Sequence, residues 1–194
     1  SPDILQNIEN RIGLQLQDVE DEERKENGFL AIDLIDYIYA VLHSVTYRDT
    51  YHDFLQNDFP TIPYPASAEY FFKMAEFGKR LRYLHELKGI DRKDLITTYP
   101  VIGEKDNNVV LIHKFEETNE GIGRVWINKE QYFDGVPLEA WNMIIAGYQP
   151  LEKWLKDRKD KHLTSDEIIH YQKMVVALVK TIRTQEKIDE IIEL

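Results

Sequence analysis

The chain has no cysteine, which excludes disulfides and thiolate metal sites and makes a reducing intracellular compartment the expected setting. No apolar run approaches the length of a membrane-spanning helix. The N-terminus is polar and acidic, so no signal peptide is read there, and the cytoplasm is the expected location. Phosphate-binding GxxxxGK(S/T) and GxGxxG loops, a GxSxG elbow and an HExxH helix are all missing. Basic residues are few: 24 Lys and Arg against 35 Asp and Glu leave a net charge of −11. That balance disfavours a freestanding, non-specific nucleic-acid binder, which is usually basic. What the chain does have is core material. With 43% hydrophobic and 11% aromatic residues over 194 positions, it can build one domain or two small ones. Opening at Ser1 rather than Met, it reads as a piece of a longer polypeptide.

The apolar spacing Ile4, Leu5, Ile8, Ile12, Leu16 predicts a short helix weakened by Gly13. An acidic loop follows at 18–28. It holds an echo of a nuclease signature, Pro2-Asp3 followed by Glu23-Arg24-Lys25, but in a solvated acidic run rather than on the buried strand such chemistry needs. Positions 31, 34, 35, 38, 41 and 42 predict a helix facing a core, with Asp33, Asp36 and Tyr37 off the stripe. Thr46 and Asp49 have capping-box spacing for a second helix, and the two read as an antiparallel hairpin. Pro60, Pro63 and Pro65 force an extended arm. Ser67 caps a helix carrying Phe71, Met74, Ala75, Gly78, Leu81 and His85 on one face. The period then changes. Thr98–Ile102, Val109–Phe115 and Ile122–Ile127 predict an antiparallel meander, with Met143–Ala146 as a further strand and an aromatic turn at Tyr132-Phe133. Thr164 and Glu167 cap a long C-terminal helix with Ile168, Tyr171, Val175, Leu178 and Ile182 at heptad-like spacing, extended by Ile188, Ile191 and Ile192. The class is α+β, mostly helical, with a small inserted antiparallel meander. The expected division is an N-terminal helix and acidic loop at 1–30, then one domain over 31–194, with helices at 31–89, a sheet at 98–147 and helices at 150–192.

Catalytic chemistry finds little support. None of the six histidines has tight metal spacing, and paired carboxylates carry no information in so acidic a chain. Binding chemistry concentrates between Arg124 and Lys161. Asn128, Gln131, Asn142 and Gln149 suit adenine edges, and Arg124 and Arg158 suit guanine. Lys153, Lys156, Lys159 and Lys161 suit phosphates, and Tyr132, Phe133, Trp141, Tyr148 and Trp154 suit stacking on a displaced base. Each has a plainer alternative, because Leu151, Trp154 and Leu155 describe a buried helix face that would leave the lysines merely solvated.

Three segments carry a resemblance: residues 32–65, including YIYAVLHS and DFPTIPYP; residues 72–87; and residues 124–182, including QYFDGVP, GYQPLEKWLKDRK and HYQK. They resemble the C-terminal specificity domain of Type ISP restriction-modification enzymes, long chains also described as predicted helicases or adenine-specific DNA methylases. The resemblance implies a non-catalytic target-recognition fragment. It would hold double-stranded DNA for a methyltransferase in cis and a nuclease elsewhere in the polypeptide. The DNA-contacting candidates are then Arg124, Asn128, Gln131, Tyr132, Tyr148, Gln149, Lys153, Lys156, Arg158 and Lys159, with loops 103–108 and 116–123 as readers. S-adenosylmethionine, ATP and magnesium are implied for the parent enzyme and none for this stretch, which lacks an Asn/Asp-Pro-Pro-Tyr/Phe motif. No membrane is implied. One rival reading is a docking module that packs the heptad helix on the methyltransferase without touching DNA. The other is a small hydrolase with an unrecognised carboxylate or histidine site.

Overall fold

A computed structural model describes residues 2–17, 25–100 and 107–194. They divide into two units, residues 1–86 with 183–194, and residues 87–182. Among the described residues are eight α-helices and a three-stranded antiparallel sheet, the α+β class expected.

In the first unit, α1 (Pro2–Ile12) buries Ile8 and Ile12 and stops at Gly13. A short parallel pair, β1 (Gln15–Leu16) and β2 (Gly28–Phe29), delivers Phe29 to the core, edge-on to Phe71 at 5.4 Å. Residues 18–24, with most of the acidic loop and the nuclease-like Glu23-Arg24, lie outside the described residues. Helix α2 (Ala31–His43) buries more than its apolar stripe. Val41 is buried and Leu34, Ile38 and Leu42 pack on the core as expected, but Asp33, Asp36, Tyr37 and Ala40 are buried too, while Ile35 is exposed. The extra buried face has a polar cause. The Asp33 carboxylate accepts the Leu30 N–H at 2.8 Å and caps the helix. Asp36 is clasped by both Nε and Nη2 of Arg82, at 2.8 and 3.0 Å, from α5 (Ala68–His85). A bidentate guanidinium satisfies a buried carboxylate that would otherwise be very costly.

The main partner of α2 is therefore α5, not the next helix in sequence. Asp36 meets Gly78 and Arg82, and Tyr39 meets His85, so the two helices run in the same sense. Between them lie α3 (Val45–Thr50), α4 (His52–Leu55) and the proline arm. The α3 cap is Ser44, whose Oγ accepts the Tyr47 N–H at 2.9 Å, rather than Thr46. Asp189 reinforces it by accepting from the Ser44 hydroxyl at 2.6 Å and from the Val45 and Thr46 amides. The extended arm is pinned by two buried tyrosines, Tyr37 donating to Pro63 O and Tyr47 to Thr61 O. Ser67 caps α5 as expected.

Tyr39, His43 and His85 form a ring cluster at the end of this helix pair. The Tyr39 hydroxyl lies 2.6 Å from His85 Nδ1, and the two imidazole centroids are 5.1 Å apart. Burial pushes both imidazoles down, and the neighbouring His43 helps take His85 to about 4. An imidazole that titrates below its ordinary value binds fewer protons folded than unfolded. The cluster's contribution is therefore full above the ordinary value of 6.5 and falls away as pH drops from there toward about 4. The urea midpoint is expected to decline over that window, and less steeply in His85→Gln. Parallel profiles for the two proteins would remove His85 as the titrating group.

The second unit is built on β3 (Lys114–Asn119), β4 (Ile122–Trp126) and β5 (Tyr132–Pro137), in that order. Phe115, Val125 and Phe133 are in register and face inward, Val125 and Phe133 fully buried. The outward rows are Lys114, Trp126, Tyr132 and Glu116, Arg124, Asp134. The meander is thus present but shifted along the chain. Its third strand lies where an aromatic turn was expected, because Tyr132 and Phe133 alternate out and in. Thr98, Val109 and Ile145 make only isolated bridges, to Asp134, His162 and Tyr148, and Val101-Ile102 lie outside the described residues. Behind the sheet are α6 (Leu138–Asn142), α7 (Pro150–Lys156) and α8 (Ser165–Asp189). Thr164 and Glu167 form the expected capping box, Thr164 N donating to the carboxylate at 3.0 Å and Glu167 N to the hydroxyl at 3.2 Å. Tyr171, Val175 and Leu178 enter this unit's core, Tyr171 stacking on Phe133 at 4.2 Å. The last part of α8 belongs to the first unit, where Ile188 is fully buried.

Candidate nucleic-acid interface

Helix α7 starts at Pro150, whose fixed φ suits the first helical position. Leu151 and Leu155 are fully buried, and Trp154 leans on Tyr171 at 5.4 Å. That apolar face decides the rest: Lys153 and Lys156 must project outward. They are held by ion pairs one turn apart, Lys153 with Asp157 and Lys156 with Glu152 at 3.0 Å. Exposed pairs at this spacing are worth only about 0.3–0.5 kcal/mol, so either lysine can exchange its partner for a phosphate.

Just before α7 the chain reverses in a tight turn. Ile145 and Tyr148 exchange backbone hydrogen bonds at 2.8 and 3.0 Å, with positive φ at Ala146 (49°) and Gly147 (82°). That is the mirror-image turn of two-residue hairpins, and glycine at the second position takes it without strain. The turn holds Ile144 and Tyr148 in solvent, 67% and 61% exposed. Ile144, Gly147, Tyr148, Gln149, Lys153 and Lys156, with Glu152, line one concavity of about 290 Å³. The structure thus brings Tyr148, Gln149, Lys153 and Lys156 together, and Lys159 is exposed further along the same stretch.

The other candidates fall elsewhere. Arg124 and Tyr132 lie on the outer sheet face, the guanidinium 4.5 Å over the ring and paired with Asp134 at 3.1 Å. Arg158 is committed inside the unit: it covers the Trp154 ring at 3.6 Å and pairs with Glu167 at 3.0 Å. Asn128 and Gln131 are not on a surface. Asn128 is 2% exposed; its amide nitrogen donates to Asn107 O and Val109 O, and its oxygen accepts from the Glu130 and Gln131 amides. Gln131 is fully enclosed. Of the expected reading loops, 103–106 lie outside the described residues and Asn108 is buried against Tyr99. Residues 116–123 form the β3–β4 hairpin, leaving only Glu120-Gly121 as its turn. Sequence reasoning missed Ile144. Its signal was the Ala146-Gly147 pair, which turns an apparent strand into a hairpin tip.

Among the described residues no group of three or more His, Asp or Glu side chains is placed to hold a metal ion, and no helix is long and apolar enough to cross a membrane.

The fold resembles a part of several proteins whose structures were solved with DNA. A DrdV–DNA complex matches with a TM-score of 0.60 at 20% identity, over 83% of this chain and 18% of that one. The ATP-dependent Type ISP restriction-modification enzyme LlaBIII, bound to DNA, matches with 0.56 at 21% identity, over 84% of this chain and 11% of that one. A nuclease-deletion mutant of the Type ISP enzyme LlaGI, in complex with a DNA substrate mimic, matches with 0.54 at 22% identity, over 89% and 14%. This chain therefore spans less than a fifth of each of those polypeptides. No curated protein sequence matches it significantly. The family model for the Type ISP C-terminal specificity domain matches residues 1–194, its full length. With the helical frame, the inserted meander and the family match in agreement, the chain belongs to the Type ISP C-terminal specificity domain family.

Proposed function

We propose that this chain is the DNA target-recognition part of a multidomain restriction-modification enzyme, positioning duplex DNA for an adenine methyltransferase and a nuclease carried elsewhere in the polypeptide. The family match over all 194 residues carries the reading. The concavity of Tyr148, Gln149, Lys153 and Lys156 supports it, since it combines a stacking ring, an amide and two phosphate-seeking cations. In such an enzyme S-adenosylmethionine, ATP and magnesium would be held by other parts of the polypeptide.

The docking-module reading loses its main surface. Tyr171, Val175 and Leu178 of the heptad face are used in one unit's core and Ile188 in the other's, so that stripe is not open to a second protein.

The test is salt-dependent binding to a random duplex pool, with recovery and sequencing of bound molecules. A short enriched motif is expected from the natural full-length polypeptide. Lys153→Ala with Lys156→Ala is expected to weaken binding across all sequences and to flatten the log–log salt slope by about two, one per lost phosphate contact. No enrichment, with binding indifferent to both lysines, would overturn the proposal.

A further inference from the structure

We infer that the Ile144–Tyr148 turn is a wedge that enters the base stack of duplex DNA at one step and unstacks it, an inference that rests on the DNA-binding reading above. Three observations converge on it. First, the tip is apolar where solvent would favour polar residues: Ile144 is 67% exposed, Ile145 41% and Tyr148 61%. Second, the tip is narrow and pre-formed. Two mutual backbone hydrogen bonds close it, and both central residues already hold the positive φ the turn needs. It therefore enters a groove without an ordering cost. Third, Lys153 and Lys156 line its concavity together with Glu152, so a tip inserted between bases has two cations nearby for the flanking phosphates.

The same facts choose DNA over a protein partner. Only three exposed apolar side chains, Ile144, Ile145 and Tyr148, make the tip, too few for the roughly 800 Å² per partner of a stable protein interface, and Gln149, Glu152, Lys153 and Lys156 rather than further apolar residues line the concavity beside it. Isoleucine is among the side chains that act as apolar wedges between base steps, and tyrosine offers a ring for an unstacked base. The residues toward which sequence reasoning assigned readout supply only part of this device. The insertion itself falls to Ile144, with Tyr148 stacking beside it.

The test uses the natural full-length polypeptide on the duplex recovered from the random pool, with permanganate reactivity of thymines as the readout of unstacking. One hyper-reactive step inside the footprint is expected. Ile144→Ala with Tyr148→Ala is expected to abolish that reactivity and weaken binding by about tenfold or more. Ile144→Leu with Tyr148→Phe should retain both. Lys153→Ala with Lys156→Ala should weaken binding yet leave the bound complex reactive. All four side chains are exposed, so unchanged tryptophan fluorescence certifies that the variants fold. If the double-alanine variant binds and unstacks like the parent, or the parent complex shows no reactive step, the wedge is wrong and the DNA reading stands. If the parent selects no duplex, both fall together. If the variants change the protein's oligomeric mass instead, the tip is a protein contact and the wedge is overturned.

Discussion

Gly78→Ala is expected to destabilise the first unit by about 3 kcal/mol, a large share of a domain's total stability. A Cβ at this position would sit 1.7 Å from the Asp36 carbonyl oxygen and 2.5 Å from its carbon. Both are backbone atoms, so no rotamer change relieves the clash; α2 and α5 must separate. Separation strains the Arg82 clasp on an Asp36 side chain only 3% exposed. Alanine is a better helix former than glycine by about 1 kcal/mol, which offsets part of the loss but does not reverse it. Urea unfolding followed by helical circular dichroism measures the effect. A cost below about 0.5 kcal/mol would mean the two helices do not approach as closely as described.

This contact also marks where the helical half stops being legible in the sequence. Periodicity found α2, α5 and α8 within a residue or two at most ends, and the Ser67 and Thr164–Glu167 caps were readable because a cap is a local device. It missed the polar part of the buried face of α2. The apolar count placed Ile35 inward, which is exposed, and left out Asp33 and Asp36, which are buried. No local rule could reverse that, since the partner of Asp36 lies 46 residues away. The Ser44 cap was hidden similarly: Asp189, 145 residues on, completes it.

In the sheet the error was one of phase along the chain. The apolar runs before Lys114 looked more strand-like than YFDGV, yet Leu111 and Ile112 are exposed and Tyr132–Pro137 is the paired strand. Register explains it: Val125 pairs with Phe115 on one side and Phe133 on the other, and this buries one aromatic on each flank of the central strand. For the candidate site, residue type alone was ambiguous. Lys153 and Lys156 followed from the spacing of Leu151 and Leu155, so their exposure was foreseeable. Asn128 and Gln131 have the side chains a base reader needs, and only burial removes them from that role.

Asn128→Ala decides between those two roles, and its expected result is a loss of about 3 kcal/mol or more in the second unit with no change in site choice by the protein that remains folded. The amide has two N–H donors and an oxygen with two acceptor positions. All four are spent at the β4–β5 connection: both donors on Asn107 O and Val109 O, at 2.8 and 3.0 Å, and the oxygen on the Glu130 and Gln131 N–H groups, at 2.9 and 2.8 Å. Nothing is left for the paired donor and acceptor of an adenine edge. Alanine strands backbone groups on two segments at once: the Gln131 N–H is buried, at a cost of about 1–3 kcal/mol, and the Glu130 N–H and the Asn107 and Val109 carbonyls are partly buried. Asn128→Asp separates the two halves of the bracket, because it keeps the acceptor for residues 130 and 131 but turns a carboxylate toward two carbonyls. It is therefore also expected to destabilise. All three tryptophans, Trp126, Trp141 and Trp154, lie in this unit, so their fluorescence during urea unfolding reports on it alone. An unshifted unfolding curve together with an altered enriched motif would return Asn128 to the reading surface. A shifted curve with the motif intact makes it the clamp that holds β5 in register and, through β5, fixes where Tyr132 and Asp134, the partners of Arg124, stand on the outer face.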